Sequence, residues 1–358
     1  MLDWELTRKN YVNWLSFADL RKKISREIKY DELSIWWISK LMAKDNVNEQ
    51  IWFKNLNSKL HSKKTINEKK INYFFLFLKC ILNFFFKIIS ILMIKIFIKQ
   101  KNINKLTKYR DAYYTVFSNY KYYKGHFIDR QYGLINNIKN YNKINIIELP
   151  ENLDLLKNFF SIKHKVKLLK NEFIIMNSRI SFIEILKVYF KFIFLFFKTI
   201  KILREKNYFF IKKKDCRNIL EKKLILSYFG YMQNQIIKGL ALKNTLNMIN
   251  PKNFITCFDF YPEARIHYHF ARKSSVKNII NINHAIYSEN DIFFNINKSD
   301  FSVKSDSFFS PKPDIFFCKG ERYFNKLKKI FITSRVYKIG SLKIELNSPK
   351  FNRLKYKK

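Results

Sequence analysis

From Phe254 to Leu346 the chain alternates apolar runs with polar loops and helical stretches: "FITCFDFYPEARIHYHFARKSS", "VKNIININHAIYSEN", "SPKPDIFFCKGERYFNKLKKIF" and "RVYKIGSLKIEL". Strands separated by helices cannot close as hairpins. They need crossovers, and crossovers give a parallel sheet with helices on its faces. An earlier stretch, "DAYYTVFSNYKYYKGHFIDRQYGLINNIKNYNKINIIELPEN", has the same grammar: a strand at 113–119, a polar loop with Gly125, His126, Asp129 and Arg130, a helix from 133, and a second strand at 144–149 closed by Pro150. The fold class is therefore α/β, a Rossmann-like parallel sheet with added long amphipathic helices. The loop carries no GxGxxG, so the sequence gives no dinucleotide fingerprint.

The organisation divides into a Trp-rich helical segment over 1–65, an amphipathic region over 66–108, the α/β unit over 109–346 with a helical insertion at 172–245, and a basic tail over 347–358. All five tryptophans (Trp4, Trp14, Trp36, Trp37, Trp52) fall in the first segment, where "DELSIWWISKLMAKD" predicts a helix with Asp31 as N-cap, packed as a lid on the core.

Two stretches, Tyr73–Ile98 and Phe182–Leu203, are apolar enough to suggest a membrane. On a helical wheel Asn72, Lys79, Asn83, Lys87 and Ser90 fall within roughly 80° of one another, and Glu184, Lys187, Lys191 and Lys198 within roughly 60°. A spanning helix would carry those charges through hydrocarbon at about 2.5–3.5 kcal/mol each. A helix lying flat keeps one narrow cationic stripe among the headgroups and sinks the rest, so peripheral attachment is expected. The alternative is a pair of core helices whose lysine stripe is merely solvated.

The chain has 69 Lys+Arg against 28 Asp+Glu, a formal charge of +41, which favours anionic partners. Phe (37), Ile, Asn and Lys abound while Gly (6) and Pro (6) are scarce, so an AT-rich coding bias accounts for part of the excess. The lysines are dispersed and no nucleic-acid module is present, which sets nucleic acid aside as a partner and leaves an anionic membrane surface. Four widely spaced cysteines without CxxC give no disulfide framework and suit a reducing cytoplasm. The opening "MLDWELTRKNYVNW" is acidic-containing and lacks a signal-peptide core.

The site residues follow from position. Asp259 and Glu263 stand at the carboxyl end of the Phe254 strand, where α/β sites are built, with Pro262 opening the next helix and Glu263 equally suited to that helix's dipole. His284 ends the apolar run "NIININHA" at the next strand's carboxyl edge, placed to take a hydroxyl proton or grip a phosphate, or simply to cap the strand. Lys319, Gly320 and Glu321 stop the strand of "PKPDIFFCKGE". His267 and His269, two residues apart on a helix, point some 200° away from each other, so no metal site is expected.

The order of Asp259, "YPEA", "INH", "PKPDIFFCKGE" and "YKIGSLK", preceded by "LSIWWISKLMAKD" and "GHFIDRQYG", resembles bacterial surface-carbohydrate biosynthesis proteins related to two-Rossmann-domain (GT-B) glycosyltransferases. The resemblance implies sugar transfer from a nucleotide sugar to a lipid-linked or glycan acceptor in polysaccharide or lipopolysaccharide assembly. His284 and Glu263 would be catalytic. Asp259, His126, Arg130, Lys319, Gly320 and Glu321 would line the substrate site. No bound cofactor is implied beyond the nucleotide sugar as donor substrate. In such proteins the strand of "YKIGSLK" leads into a donor domain. Here the sequence stops at Lys358, so a truncated chain or a separate donor-domain protein is expected, with the membrane's inner face as the place of work. The alternative is a non-catalytic, membrane-associated assembly or binding subunit.

Overall fold

The computed structural model describes residues 2–42, 51–61, 72–98, 109–123, 126–129, 132, 142–150, 152–169, 172–257, 262–283, 297–301 and 308–339. Its centre is one sheet of seven strands: β1 (Asp111–Val116), β2 (Lys143–Glu148), β3 (Phe173–Ile175), β4 (Asn253–Thr256), β5 (Asn278–Ile282), β6 (Ile315–Lys319) and β7 (Arg335–Ile339). The spatial order is β3-β2-β1-β4-β5-β6-β7, and every neighbouring pair is parallel. The chain winds outward from β1 to β3, returns to place β4 beside β1, and winds outward the other way. This is the doubly wound, Rossmann-like arrangement. β1 and β2 read as continuous apolar runs because both of their faces are covered.

Ten helices surround the sheet among the described residues: α1 (Leu2–Phe17), α2 (Asp19–Glu27), α3 (Ile51–His61), α4 (Tyr73–Phe97), α5 (Asn152–Lys167), α6 (Phe182–Glu205), α7 (Arg217–Ser227), α8 (Tyr231–Ile249), α9 (Pro262–Arg272) and α10 (Glu321–Ile330). On one face Leu242 and Leu246 of α8 and Ala264 and Tyr268 of α9 pack against Ala112, Ile144, Ile146 and Phe254. On the other, α5 and the end of α4 cover Ile147, Phe173 and Ile175 through Leu155, Phe159 and Ile94. α6 starts on a capping box in which the Ser181 hydroxyl accepts from the Glu184 amide (3.1 Å) and the Glu184 carboxylate accepts from the Ser181 amide (2.8 Å).

Three expectations change. Phe173–Ile175, assigned above to the helical insertion, is the edge strand of the sheet. Its three residues are too few to show a period beside the long apolar run of α6. The helix expected from Asp31 is replaced by a two-residue hairpin, Lys29–Tyr30 with Leu33–Ser34, whose turn holds Asp31 and Glu32 at φ 47° and 66°. A 3-10 turn (Ile35–Ile38) follows, capped by Ser34, whose hydroxyl accepts from the Trp36 amide at 3.2 Å. That turn is wedged between layers, so the adjacent Trp36 and Trp37 are both fully buried, which one face of a surface helix could not achieve. Finally, the strand read at 113–119 ends at Val116 and passes into a 3-10 turn, and the polar loop beyond it contains a short hairpin, Tyr120–Tyr123 with His126–Asp129. The helix expected from 133 lies outside the described residues.

The first segment does not stand apart. Tyr11, Trp14, Trp36 and Phe53 share one core with Phe192, Leu224 and Ile236 of α6, α7 and α8 and with Phe270 of α9. Trp37 lies between the guanidinium groups of Arg21 and Arg265, 5.0 and 5.4 Å from its ring centre. Buried Asp300 completes this knot, accepting from the Ser16 hydroxyl at 3.0 Å and facing Arg21 at 3.4 Å.

Candidate functional site

The strand order reverses between β1 and β4, so the crevice of the sheet opens beyond the carboxyl ends of these two neighbours. On the α8/α9 side, β1 contributes Tyr114 and β2 contributes its last residue, Glu148. The Tyr114 hydroxyl donates to Glu148 Oε2, and Lys238 Nζ of α8 lies 2.5 Å from Glu148 Oε1. From the first turn of α9, Glu263 Oε1 accepts from Gln235 Nε2 at 2.8 Å and from the Tyr231 hydroxyl at 3.5 Å. Lys238 therefore pairs with Glu148 while Tyr231 and Gln235 of the same helix hold Glu263 near enough to feel both charges.

Burial raises the Glu263 carboxyl above the ordinary carboxylate value, and the nearby Glu148 charge pushes the same way, against its own backbone amide, Lys238 and Gln235. A carboxyl so raised suits proton transfer closer to neutrality. Burial lifts the Tyr114 phenol well above its usual range, with Glu148 adding, so it stays a donor. The His267 ring centre lies 4.1 Å from that of Tyr114, the planes tilted by 54°, and burial together with Lys238 pushes its imidazole down to about 3. It is a neutral wall. His269 turns away, its Nε2 2.9 Å from the Asp31 carbonyl oxygen, so the two histidines diverge as their spacing predicts. Among the described residues no three His, Cys, Asp or Glu side chains gather as metal ligands.

Of the residues singled out from the sequence, Glu263 is at this site. His284, Asp259 and Arg130 lie outside the described residues. The His126 backbone pairs with Tyr123 in the hairpin after β1. The Lys319 backbone pairs with Ile339 at the end of β6. Gly320, at φ 76°, caps α10, and Glu321 pairs with Lys338 of β7 on an exposed surface. β6 is two strands from β4, roughly 10 Å at the usual spacing. The structure does not bring Gly320 and Glu321 to Glu263.

Sequence reasoning passed over Glu148, Lys238, Gln235 and Tyr114. Glu148 carries the signal used for Asp259, a carboxylate at the end of an apolar run, here before Leu149 and Pro150. Lys238 and Gln235 sit mid-helix with no local mark. Asn177 was missed as well: its side chain accepts from the Leu149 amide (2.8 Å) and donates to the Leu149 carbonyl (3.2 Å), fixing the chain just past Glu148.

A second feature adjoins the first. The stripe of α4 expected to face headgroups is divided: Asn72 and Lys79 are exposed, whereas Lys87 and Ser90 are fully buried and the Asn83 amide abuts Gly230, where a Cβ would come within 2.7 Å. The sequence defines the stripe but not the side it faces, and here Asn83 meets the start of α8. The outward arc of α4 is apolar, with Phe74 79% exposed and Phe85 55%. α6 keeps Lys187 and Lys191 exposed, as expected, beside exposed Phe190 and Phe194. Twelve large apolar side chains of α4 and six of α6 are exposed. At roughly half the ~150–250 Å² of an aromatic side chain each, this face is on the order of 1,500 Å², whereas the largest patch on an ordinary monomer is about 300–600 Å². Among the described residues, α4 is the one helix long and apolar enough to cross a membrane, with a mean hydropathy of 2.1 and 22% burial in its most apolar window.

No family model, curated protein or solved structure matches this chain.

Proposed function

We propose that this chain is a glycosyltransferase-like protein of surface polysaccharide or lipopolysaccharide assembly, working on the inner face of the cell membrane. Its Rossmann-like unit is the acceptor-side half of a GT-B architecture. A nucleotide sugar is the donor, presented by a second Rossmann unit, and the acceptor is a lipid-linked or glycan hydroxyl. Glu263 takes the hydroxyl proton, with His284 the other base in this reading, while Lys238 stabilises negative charge beside it. The observation that carries the reading is the Glu148–Lys238 ion pair beside Glu263, held by Gln235, at the switch point of the sheet, together with an exposed apolar face on α4 and α6. Lysines flanking that face suit an anionic leaflet, at about 1 kcal/mol each.

The test is transfer of labelled sugar from a panel of nucleotide sugars into the lipid fraction, with the chain alone and with candidate donor-domain partners. Transfer that Glu263→Gln and His284→Ala both cut at least a hundredfold is expected. Full transfer by the double variant refutes the catalytic assignment. Absence of transfer and of nucleotide-sugar binding under every condition favours a non-catalytic membrane-associated subunit, a reading to which the apolar face is equally suited.

A further inference from the structure

The exposed apolar surfaces of α4 and α6 are continuous. An open groove of about 370 Å³ runs between the helices, and its lips, Phe77 and Ile81 on α4 and Phe190, Ile193 and Phe197 on α6, are themselves exposed. On α4 the exposed Phe74, Leu78, Phe85, Ile89, Leu92 and Ile96 fall within roughly 60° of one another and keep that direction for ~33 Å of helix. Lysines border the surface on both outer flanks. On α6 the exposed Lys187, Lys191 and Lys198 stand roughly 60–100° to one side of Phe190, and the groove residues Ile193 and Tyr189 as far to the other. On α4 the exposed Lys79 stands roughly 120° from Phe85 on the side away from the groove.

We propose that this two-helix surface embeds in a single anionic leaflet, with α4 lying along the membrane instead of crossing it. The assignment rests on the membrane placement in the reading above and not on its sugar-transfer chemistry. Length and hydropathy alone would let α4 span. Its inner side prevents this: Lys87, Ser90, Ile91 and Ile94 are buried against the protein, Ile94 in the core beneath β2 and β3, so a spanning α4 would have to leave the fold. Lying flat, the surface sinks roughly 5–10 Å into the boundary between headgroups and acyl chains, with both lysine flanks at phosphate level. A second copy of the chain is the other occupant so large a surface suits, since a stable dimer buries about 800 Å² per partner. Charge decides against it. α4 contains no Asp or Glu, and Asp31, which shares a recess with Lys187 and Lys191, is paired with Lys273 at 2.8 Å. Twofold pairing of two such surfaces sets lysine flank against lysine flank, whereas an anionic leaflet complements both.

Depth-dependent quenching on vesicles of phosphatidylglycerol and phosphatidylcholine tests this with the full chain. Phe74→Cys, Phe85→Cys and Leu92→Cys, each in a Cys80→Ser background and labelled with nitrobenzoxadiazole, should be quenched most by lipids brominated at one shared, shallow acyl position. Ile332→Cys, exposed before β7, should not be quenched. In flotation, Phe85→Ser with Phe194→Ser should lower the bound fraction at least tenfold. Lys187→Glu with Lys191→Glu should lower it at least threefold on phosphatidylglycerol vesicles and leave it unchanged on pure phosphatidylcholine. Depths that run across the bilayer from residue 74 to residue 92 would show a spanning helix and overturn the proposal. So would parent-like flotation of either folded variant, or a dimer in sedimentation that does not bind vesicles. Flotation and shallow quenching without sugar transfer under any condition remove the enzymatic reading alone, so the two failures are distinguishable.

Discussion

Replacing Gly239 by alanine tests whether α8 and α9 are held as closely as the site requires. In an ordinary helix interior this change stabilises by about 1 kcal/mol, because alanine is the better helix former. Here a Cβ on residue 239 would lie 2.1 Å from Cδ2 of Phe270 and 2.7 Å from Cγ2 of Ile266, both in fully buried side chains. Overpacking of this kind costs about 1–3 kcal/mol. The net is a destabilisation of up to about 2 kcal/mol, opposite in sign to the propensity effect. Urea unfolding monitored by tryptophan fluorescence reads the difference directly. Because Gln235 and Lys238 stand on α8 and Glu263 on α9, the same variant should lower any Glu263-dependent activity. Phe270→Leu should recover part of the loss in Gly239→Ala, with a coupling of at least about 0.5 kcal/mol. A Gly239→Ala protein more stable than the parent by about 1 kcal/mol, the full propensity gain, would show that the helices do not meet there.

Three further outcomes follow from the buried charges. Burial raises the folded pKa of Glu263 above its unfolded value, so the folded state holds that proton more tightly and its contribution falls as pH rises from about 4.5 through the raised value. Glu263→Gln should therefore match the parent near pH 4 and equal or exceed its stability at pH 7.5, by about 1.4 kcal/mol per unit of displacement; a less stable variant at pH 7.5 argues against a strained carboxyl. His267, held at about 3, is depressed, so its contribution is present above about 6.5 and is lost as pH falls toward 3. Exchange for Phe should flatten the acid limb of the stability curve by about one proton, or ~1.4 kcal/mol per pH unit, and an unchanged slope would contradict the burial. Asp300→Asn leaves Arg21 buried without its carboxylate and should cost about 3–5 kcal/mol in thermal or urea unfolding, whereas a loss under 1 kcal/mol would mean the knot is open to water.

Much of the sheet was legible because buried strands announce themselves: β1, β2, β4, β5 and β6 each appear as an apolar run ended by a polar residue or turn, and β7, a largely exposed edge strand, was read from its place after the last helix. β3 was hidden, since three apolar residues beside a 24-residue apolar helix carry no period of their own. The two lysine stripes were readable as faces, but a wheel does not say which medium a face meets. α6 shows its lysines to solvent while α4 turns Lys87 inward. At the site, Glu263 was found by its place after β4, and Glu148 could have been found by the same rule applied to β2. Lys238 and Gln235 join the site only because α8 crosses that end of the sheet, a tertiary fact with no trace in local sequence.

The knot around Trp37 also bears on how the chain is made. Its partners are remote: the Trp14 indole donates to the Tyr208 carbonyl 194 residues away, Arg265 donates to the Trp37 carbonyl across 228, and Ser16 reaches Asp300 across 284. At ribosomal speeds of about 5–20 residues per second, roughly 15–60 s separate the emergence of Ser16 from that of Asp300. Throughout that interval the nascent chain presents Trp14, Trp36 and Trp37 without the groups that cover them. Their protection during synthesis falls to chaperones, and the last knot to tighten is the one that joins the first helices to the final third of the fold.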